Sequence, residues 1–161
     1  MILSVDFDGT CVTHDFPNTG KNIGAEIVLK EISSYCDIIC VSMRSEEQAN
    51  SMGVDTIKAI KDWFVNENIK LTAINNSPGQ EEWSKSRKIY ANLYIDDQFV
   101  GCPLQLNKEY SNRPFVDWFK IAVIFANIGL ISQKRIVGLL DDLKAKYPKL
   151  YAKYEYNELK M

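Results

Sequence analysis

Residues 2–10 read Ile2-Leu3-Ser4-Val5-Asp6-Phe7-Asp8-Gly9-Thr10, and this run contains the first predicted strand and the most specific polar motif of the chain. Its first half is apolar and rich in β-forming residues, which predicts a buried strand over residues 2–7 and a turn at Asp8-Gly9. Gly9 permits a sharp bend, so the carboxylates of Asp6 and Asp8 can be brought to one site. A simple Asp-Gly turn is the alternative, but a chance match to this pattern is rare, on the order of one in several hundred.

Three more buried strands are predicted, over residues 38–41, 71–74 and 93–95, and they alternate with helical patterns over 25–35 and 54–66. Strands that alternate with helices are typical of βαβ units. We therefore expect an α/β domain with a three-layer, Rossmann-like architecture, in which helices cover both faces of a parallel sheet.

Residues 107–161 are predicted to form a helical extension that packs on the same single domain. Pro114 suits the first turn of an apolar helix over 115–126, and Ser132 is expected to begin a second helix that ends at Pro148. The first helix is apolar nearly all round, so the sheet or a second subunit must cover it. A homodimer through these helices is one of the two arrangements that satisfy this need.

The last residues combine basic and aromatic side chains. They are Lys144, Lys146, Lys149, Lys153 and Lys160, interspersed with Tyr147, Tyr151, Tyr154 and Tyr156. This pattern can bind nucleic acid by charge and stacking. We favour a solvated helix whose tyrosines pack inward, and we expect the chain after Tyr147 to be dispensable for folding and activity.

Composition limits the class of protein. The chain has 161 residues and a net charge of −2, which suits one domain and argues against a protein dedicated to binding nucleic acid. Four cysteines without a C-x-x-C pair, and a single histidine, argue against a zinc site and favour a reducing compartment. Neither a secretory signal nor a membrane span is expected, so we predict a cytoplasmic protein.

Polar residues follow three of the predicted strands. Asp6 to Thr10 follow the first, Ser42 follows the second, and Asp96-Asp97 follow the fourth. Open α/β sheets bind ligands at the carboxyl ends of their strands. Any one of these groups could be a wet loop, but two acidic pairs and a hydroxyl together favour a functional site.

These residues resemble the four motifs of the haloacid dehalogenase superfamily, whose members are hydrolases with an aspartate nucleophile. The run from Val5 to Thr10 is similar to the first motif, Ser42 to the hydroxyl of the second, Lys88 to the lysine of the third, and residues 94–97 to the acidic fourth. The motifs occur in the family order over residues 1–104. The segments between them are too short for the cap domain that many members carry.

The resemblance implies a role for each residue. Asp6 is the expected nucleophile, and Asp8 the acid that protonates the leaving oxygen and then activates water. Ser42 and Lys88, with Gly9 and Thr10 of the first loop, are expected to bind the phosphoryl group.

An all-oxygen magnesium site is also expected. Its ligands would be Asp6, Asp96 and Asp97, with the backbone carbonyl of Asp8; whether Asp96 or Asp97 binds the ion directly is left open.

The sequence thus predicts a Mg²⁺-dependent phosphatase that acts on small phosphorylated substrates through an aspartyl-phosphate. Two alternatives remain, namely a phosphatase for nucleotide or polynucleotide ends and a non-catalytic module that binds metal or phosphate. Lys85 and Arg87 compete with Lys88 for the phosphate role. His14 is interpreted as a loop residue, and Arg44 as either a substrate contact or a cap of its strand.

Overall fold

The computed structural model describes residues 1–47 and 53–154. Four strands form one parallel sheet, and they are β1 (Ile2–Val5), β2 (Asp37–Cys40), β3 (Leu71–Ile74) and β4 (Leu93–Ile95). Their order in space is β3-β2-β1-β4. Val5 is paired with Cys40 on one side and with Ile95 on the other. The four predicted strands are confirmed, with ends shifted by no more than two residues.

Helices flank this sheet. Helix α1 (Ala25–Ile32) connects β1 to β2, helix α2 (Thr56–Asn66) precedes β3, and a short 3-10 helix (Gln80–Glu82) lies between β3 and β4. The predicted Rossmann-like α/β architecture is confirmed. Across the residues that the structure describes, no separate cap domain interrupts these connections.

The two faces of β1 differ in chemistry. Leu3, Val5 and Phe7 are fully buried in the apolar core, and Phe7 contacts the ring of Trp63 from α2 edge to face. Side chains alternate along a strand, so Ser4 and Asp6 belong to the opposite face. The segment between β3 and β4 crosses that second face, because residues 87–89 line a cavity together with Ser4 and Asp6.

The C-terminal segment adds a small antiparallel pair and three helices. The pair is β5 (Leu104–Gln105) with β6 (Phe115–Val116), and the helices are α3 (Trp118–Asn127), α4 (Gln133–Lys146) and α5 (Pro148–Tyr151). The prediction that α4 starts after Ser132 is confirmed, since the Ser132 side chain accepts a hydrogen bond from the Arg135 amide.

The prediction that Pro114 opens the preceding helix is wrong. Residues 115–116 pair with β5 instead, and the Asp117 side chain caps α3 by accepting a hydrogen bond from the Lys120 amide. The N-cap therefore lies three residues after the proline, because strand pairing holds the intervening residues extended.

The C-terminal segment is bound tightly to the β1 loop. The Val116 amide donates to the Gly9 carbonyl at 2.8 Å, and the Trp118 indole donates to the Thr10 carbonyl at 2.7 Å. A single cluster of buried side chains joins the sheet to α3, α4 and α5. The extension is thus part of the packing that supports this loop.

The last described tyrosines face inward, as predicted. Tyr147, Tyr151 and Tyr154 are buried, and the Tyr151 and Tyr154 hydroxyls donate to the Ile23 carbonyl and the Asp117 carboxylate. Their burial argues against the expectation that the chain after Tyr147 is dispensable. Tyr156 and Lys160, which belonged to the same predicted pattern, lie outside the described residues.

All four cysteines are free. Burial raises the pKa of the Cys11 and Cys40 thiols well above the usual range, and protonated, enclosed thiols are poor nucleophiles. These cysteines serve as packing residues.

Over residues 1–47 and 53–154, no helix is long and apolar enough to cross a membrane.

Candidate active site

The ends of two neighbouring strands bring the acidic residues together. Because Val5 of β1 is in register with Ile95 of β4, the next residues, Asp6 and Asp96, emerge side by side at the carboxyl edge of the sheet. The Asp6 amide donates to the Ile95 carbonyl at 2.9 Å, which extends the pairing into the site. This is the edge at which parallel sheets bind ligands.

Three carboxylates converge at this edge. Oxygens of Asp6, Asp96 and Asp97 all lie within 4.8 Å of one another. The pKa of Asp6 is raised to about 7, mainly by burial and also by the charges of Asp96, Asp97 and Asp8. A hydrogen bond with the backbone of Phe7 acts in the opposite direction and lowers the pKa. The site therefore concentrates negative charge at one edge of the sheet.

The donor set fits a magnesium ion. Asp97 Oδ1 is buried and accepts no hydrogen bond from any residue in the described part of the chain. A buried carboxylate oxygen normally has a partner, and hard oxygen ligands of this kind prefer Mg²⁺ to softer metals. Asp6, Asp96 and Asp97 would hold such an ion, and the contribution expected from the Asp8 carbonyl stays a prediction.

The Thr10 hydroxyl holds the carboxylates in place. Thr10 is fully buried. Its Oγ1 donates to Asp6 Oδ2 at 3.3 Å and accepts from the Asp97 amide at 3.1 Å. The structure thus places this hydroxyl between the two strand ends, and the phosphate contact expected of Thr10 stays a prediction.

Gly9 is required by its backbone conformation and by its surroundings. Its φ is +87°, in the left-handed region that favours glycine. A Cβ atom at this position would lie 2.3 Å from His14 Nε2 and 2.8 Å from Asp97 Oδ2. The absence of a side chain therefore lets the imidazole reach the acidic cluster.

His14 contacts that cluster directly. Its Nε2 lies 3.0 Å from Asp97 Oδ2, and both side chains are largely buried. The sequence placed His14 in a loop without a role. No local signal reveals the contact, because the two residues are 83 positions apart.

Asp8 and Arg44 form the second polar unit of the site. Arg44 Nε and Nη2 each lie 2.7 Å from an Asp8 carboxylate oxygen. Only 1% of the Arg44 side chain is exposed, and its guanidinium carbon lies 5.0 Å from the centre of the Phe7 ring and 5.3 Å from that of Phe16. The Asp8 carboxylate thus faces Arg44 and is not a member of the three-carboxylate cluster.

Ser42 lies at the end of β2, beside β1. The Val41 amide donates to the Val5 carbonyl at 2.8 Å, which places Ser42 one residue beyond the level of Asp6. Its amide donates to Asn75 Oδ1 at 2.8 Å, and its Oγ accepts from the Arg44 amide at 3.3 Å. The half-buried hydroxyl is therefore oriented by the turn that carries Arg44.

Lys88 and Asp6 share one cavity. It has a volume of about 340 Å³ and is also lined by Arg87 and Asp96. The structure thus places the predicted lysine, and the arginine that competed with it, in the same cavity as the predicted nucleophile. A larger cavity of about 870 Å³ lies beside β3; it is lined by Arg44 and Asn75 but by none of the predicted acidic residues.

Comparison with known proteins gives one informative match. No protein-family model and no curated protein matches this chain. A solved structure described as that of a conserved protein from Bacteroides thetaiotaomicron is 31% identical in sequence, with a TM-score of 0.53, and the match covers 63% of this chain and 78% of the other. The chain belongs to the family of this conserved Bacteroides protein. That description states no activity, so the chemistry of the site has to be argued from its own residues.

Proposed function

We propose that this protein is a magnesium-dependent phosphomonoesterase that forms an aspartyl-phosphate on Asp6. The observation that carries the proposal is the convergence of Asp6, Asp96 and Asp97 at the carboxyl edge of the sheet, beside a cavity that Lys88 also lines. The resemblance of the four sequence motifs to the haloacid dehalogenase superfamily supports the same chemistry.

The first half-reaction transfers the phosphoryl group to Asp6. A carboxylate oxygen of Asp6 attacks phosphorus, the ester P–O bond breaks, and Asp8 gives a proton to the departing oxygen. Lys88 and the Ser42 hydroxyl stabilise the charge that develops on the phosphoryl oxygens. A bound Mg²⁺ would neutralise part of the negative charge shared by the substrate and the carboxylates.

The second half-reaction restores the enzyme. Asp8 takes a proton from a water molecule whose oxygen attacks phosphorus, and the bond from phosphorus to Asp6 breaks. Orthophosphate leaves and Asp6 is again a free carboxylate. In this scheme Asp8 must give and accept a proton while Arg44 holds its carboxylate.

A non-catalytic module that binds metal or phosphate is the second candidate. The ion pair between Arg44 and Asp8 favours it, because both Asp8 oxygens are engaged by one buried guanidinium. In a protein that only binds metal or phosphate, Asp8 would not need to act as an acid and base.

A panel of phosphorylated compounds, assayed with Mg²⁺ and with chelator, tests the proposal. We expect phosphate release that requires Mg²⁺ and is lost in Asp6→Asn, with Asp62→Asn as an exposed control on α2. Binding of Mg²⁺ without turnover of any compound would support the module instead.

A further inference from the structure

The cavity beside Asp6 has walls of a particular kind. Apart from Ser4 and the acidic and basic residues already described, it is lined by apolar and aromatic residues, which are Val41, Ile89, Tyr94, Ile95 and Phe99. A phosphate group alone would have no use for such walls. The cavity therefore fits a substrate that carries a ring system next to its phosphate.

The two aromatic residues of this wall differ: Tyr94 is held in place by hydrogen bonds, and Phe99 is half exposed. The Tyr94 hydroxyl donates to the Ile89 carbonyl and accepts from the Ala91 amide, both at 2.8 Å, so this ring cannot rotate away. Phe99 lies against it with ring centroids 6.4 Å apart, yet half of the Phe99 side chain is exposed. An exposed phenylalanine face beside a charged site is a surface on which a flat ring can stack.

Two basic residues line the same cavity. Arg87 and Lys88 form no ion pair with any described residue, and Lys88 Nζ lies 5.6 Å from the centre of the Tyr94 ring. The Gln80 side chain holds their loop in place, because its Nε2 donates to the Ser86 and Lys88 carbonyls at 3.0 and 2.8 Å. Positive charge is thus presented beside the aromatic wall by a preorganised loop.

The same segment continues as a second aromatic surface. Tyr90 follows the cavity residue Ile89 and meets Trp83 edge to face, with ring centroids 5.4 Å apart. Trp83 is 65% exposed. Exposed aromatic rings combined with basic side chains are the elements that bind unpaired bases without sequence preference.

From these features we infer that the substrate is a nucleoside phosphate, whose phosphate lies at Asp6 beside Lys88 and Arg87 while its base stacks on Phe99. The inference rests on the proposed phosphatase function and names its substrate class. The nucleoside phosphate could be a free mononucleotide or the phosphorylated end of a single strand. In the second case the next base would reach Trp83.

The test compares substrates on the full chain in Mg²⁺. Phosphate release is measured from thymidine monophosphate, from ten-residue oligothymidylates phosphorylated at the 5′ or the 3′ end, and from glycerol phosphate. We expect kcat/KM for at least one nucleotide substrate to exceed that for glycerol phosphate by about tenfold or more, as stacking of one base can contribute. Equal values for all substrates would overturn the inference.

Variants locate the effect. Phe99→Ala should lower the ratio of nucleotide to glycerol phosphate kcat/KM by about tenfold, because stacking is lost. Phe99→Tyr keeps the ring and should preserve the ratio. Val137→Ala, an exposed apolar residue on α4, is the matched control. Loss of the ratio in Trp83→Ala with oligothymidylates alone would assign the strand end as the substrate.

A binding measurement tests the nucleotide site separately from the proposed phosphatase activity. Thymidine monophosphate is titrated into Asp6→Asn, which cannot turn it over, and binding is followed by calorimetry. Binding that Phe99→Ala weakens, with no hydrolysis of any compound by the wild type, would support the nucleotide site and refute the phosphatase. Hydrolysis of glycerol phosphate without binding of thymidine monophosphate would support the phosphatase and refute the nucleotide site.

Discussion

Arg44 and Asp8 form a two-point ion pair in which the arginine is almost completely enclosed. The same guanidinium donates to the carbonyls of Pro17 and Asn18, at 3.0 and 2.6 Å. One side chain therefore connects the end of β2, the loop after β1 and the loop at residues 16–18. It fixes the direction of the carboxylate to which we assign proton transfer.

Arg44→Met should destabilise the protein by about 3–5 kcal/mol, because it leaves a charge without its partner and removes hydrogen bonds from enclosed carbonyls. Urea denaturation followed by circular dichroism measures this loss. Arg135→Met is the control, since its ion pair with Glu31 is partly exposed and should contribute no more than about 1 kcal/mol. Equal losses of stability in the two variants would show that the enclosed ion pair stabilises the protein no more than the partly exposed one.

Asp8→Asn should accumulate phosphoenzyme when p-nitrophenyl phosphate is the substrate. Nitrophenolate leaves without a proton, whereas the attacking water still needs a base, so the second step slows more than the first. Intact-mass spectrometry after rapid quenching detects the added phosphoryl group. If both steps slow equally, Asp8 is not the base, and the module without catalytic activity becomes the better description.

Asp6→Asn should stabilise the metal-free protein while it removes activity. The folded-state pKa of Asp6 is about 7, above its unfolded value. The stability that wild type gains from the protonated carboxyl is therefore lost as pH rises from about 4 to about 7. Asparagine does not titrate, so its advantage should grow over this range and, for a pKa raised from 3.8 to about 7, approach about 4 kcal/mol at pH 8.

Thermal unfolding in chelator at pH 5 and pH 8 measures this difference, with Asp62→Asn as the exposed control. A variant that is less stable than wild type at pH 8 would mean that burial and the neighbouring carboxylates do not disfavour the ionised form of Asp6.

His14→Ala should weaken Mg²⁺ binding by about 10- to 100-fold, the usual effect of removing a group that orients a metal ligand. His14→Gln retains a side chain that can hydrogen-bond to Asp97 and should recover part of the affinity. Calorimetric titration with Mg²⁺ gives both values. An affinity unchanged in His14→Ala would remove the histidine from the site and leave it a packing role.

Gly9→Ala should reduce activity by at least about 100-fold, because the new methyl group would displace His14 and with it Asp97. Gly129→Ala is a matched control. Gly129 also has a positive φ, of +77°, but nothing lies within 4 Å of its Cβ position. The control should cost only the backbone strain, about 1 kcal/mol in chemical denaturation. Similar behaviour of both variants would show that strain alone accounts for Gly9.

The strands and the acidic cluster could be predicted from sequence because they depend on local pattern. Asp6 and Asp96 each follow an apolar run, and parallel pairing places the ends of such strands at the same edge of the sheet. The contacts of Arg44 and His14 could not be predicted in the same way. Asp8 is 36 positions from Arg44, and Asp97 is 83 positions from His14, so only the tertiary fold pairs them.

The helix start at Pro114 failed for a related reason. Proline favours a first helical turn, but Val116 gives its amide to the Gly9 carbonyl, and this distant contact keeps the chain extended until Asp117. Local preference was overridden by pairing with a loop more than one hundred residues away. That loop is the one that carries the candidate nucleophile.

The Trp118 indole and the Val116 amide bind two consecutive carbonyls of the candidate catalytic loop. We therefore expect this loop and the last helices to open as one cooperative unit. The slowest amide protons to exchange with solvent should include those of Val116 and the residues around Asp6, with one common opening free energy. On heating, the acidic site would disappear in the same transition as the C-terminal helices, and no partly folded, catalytically competent sheet would precede it.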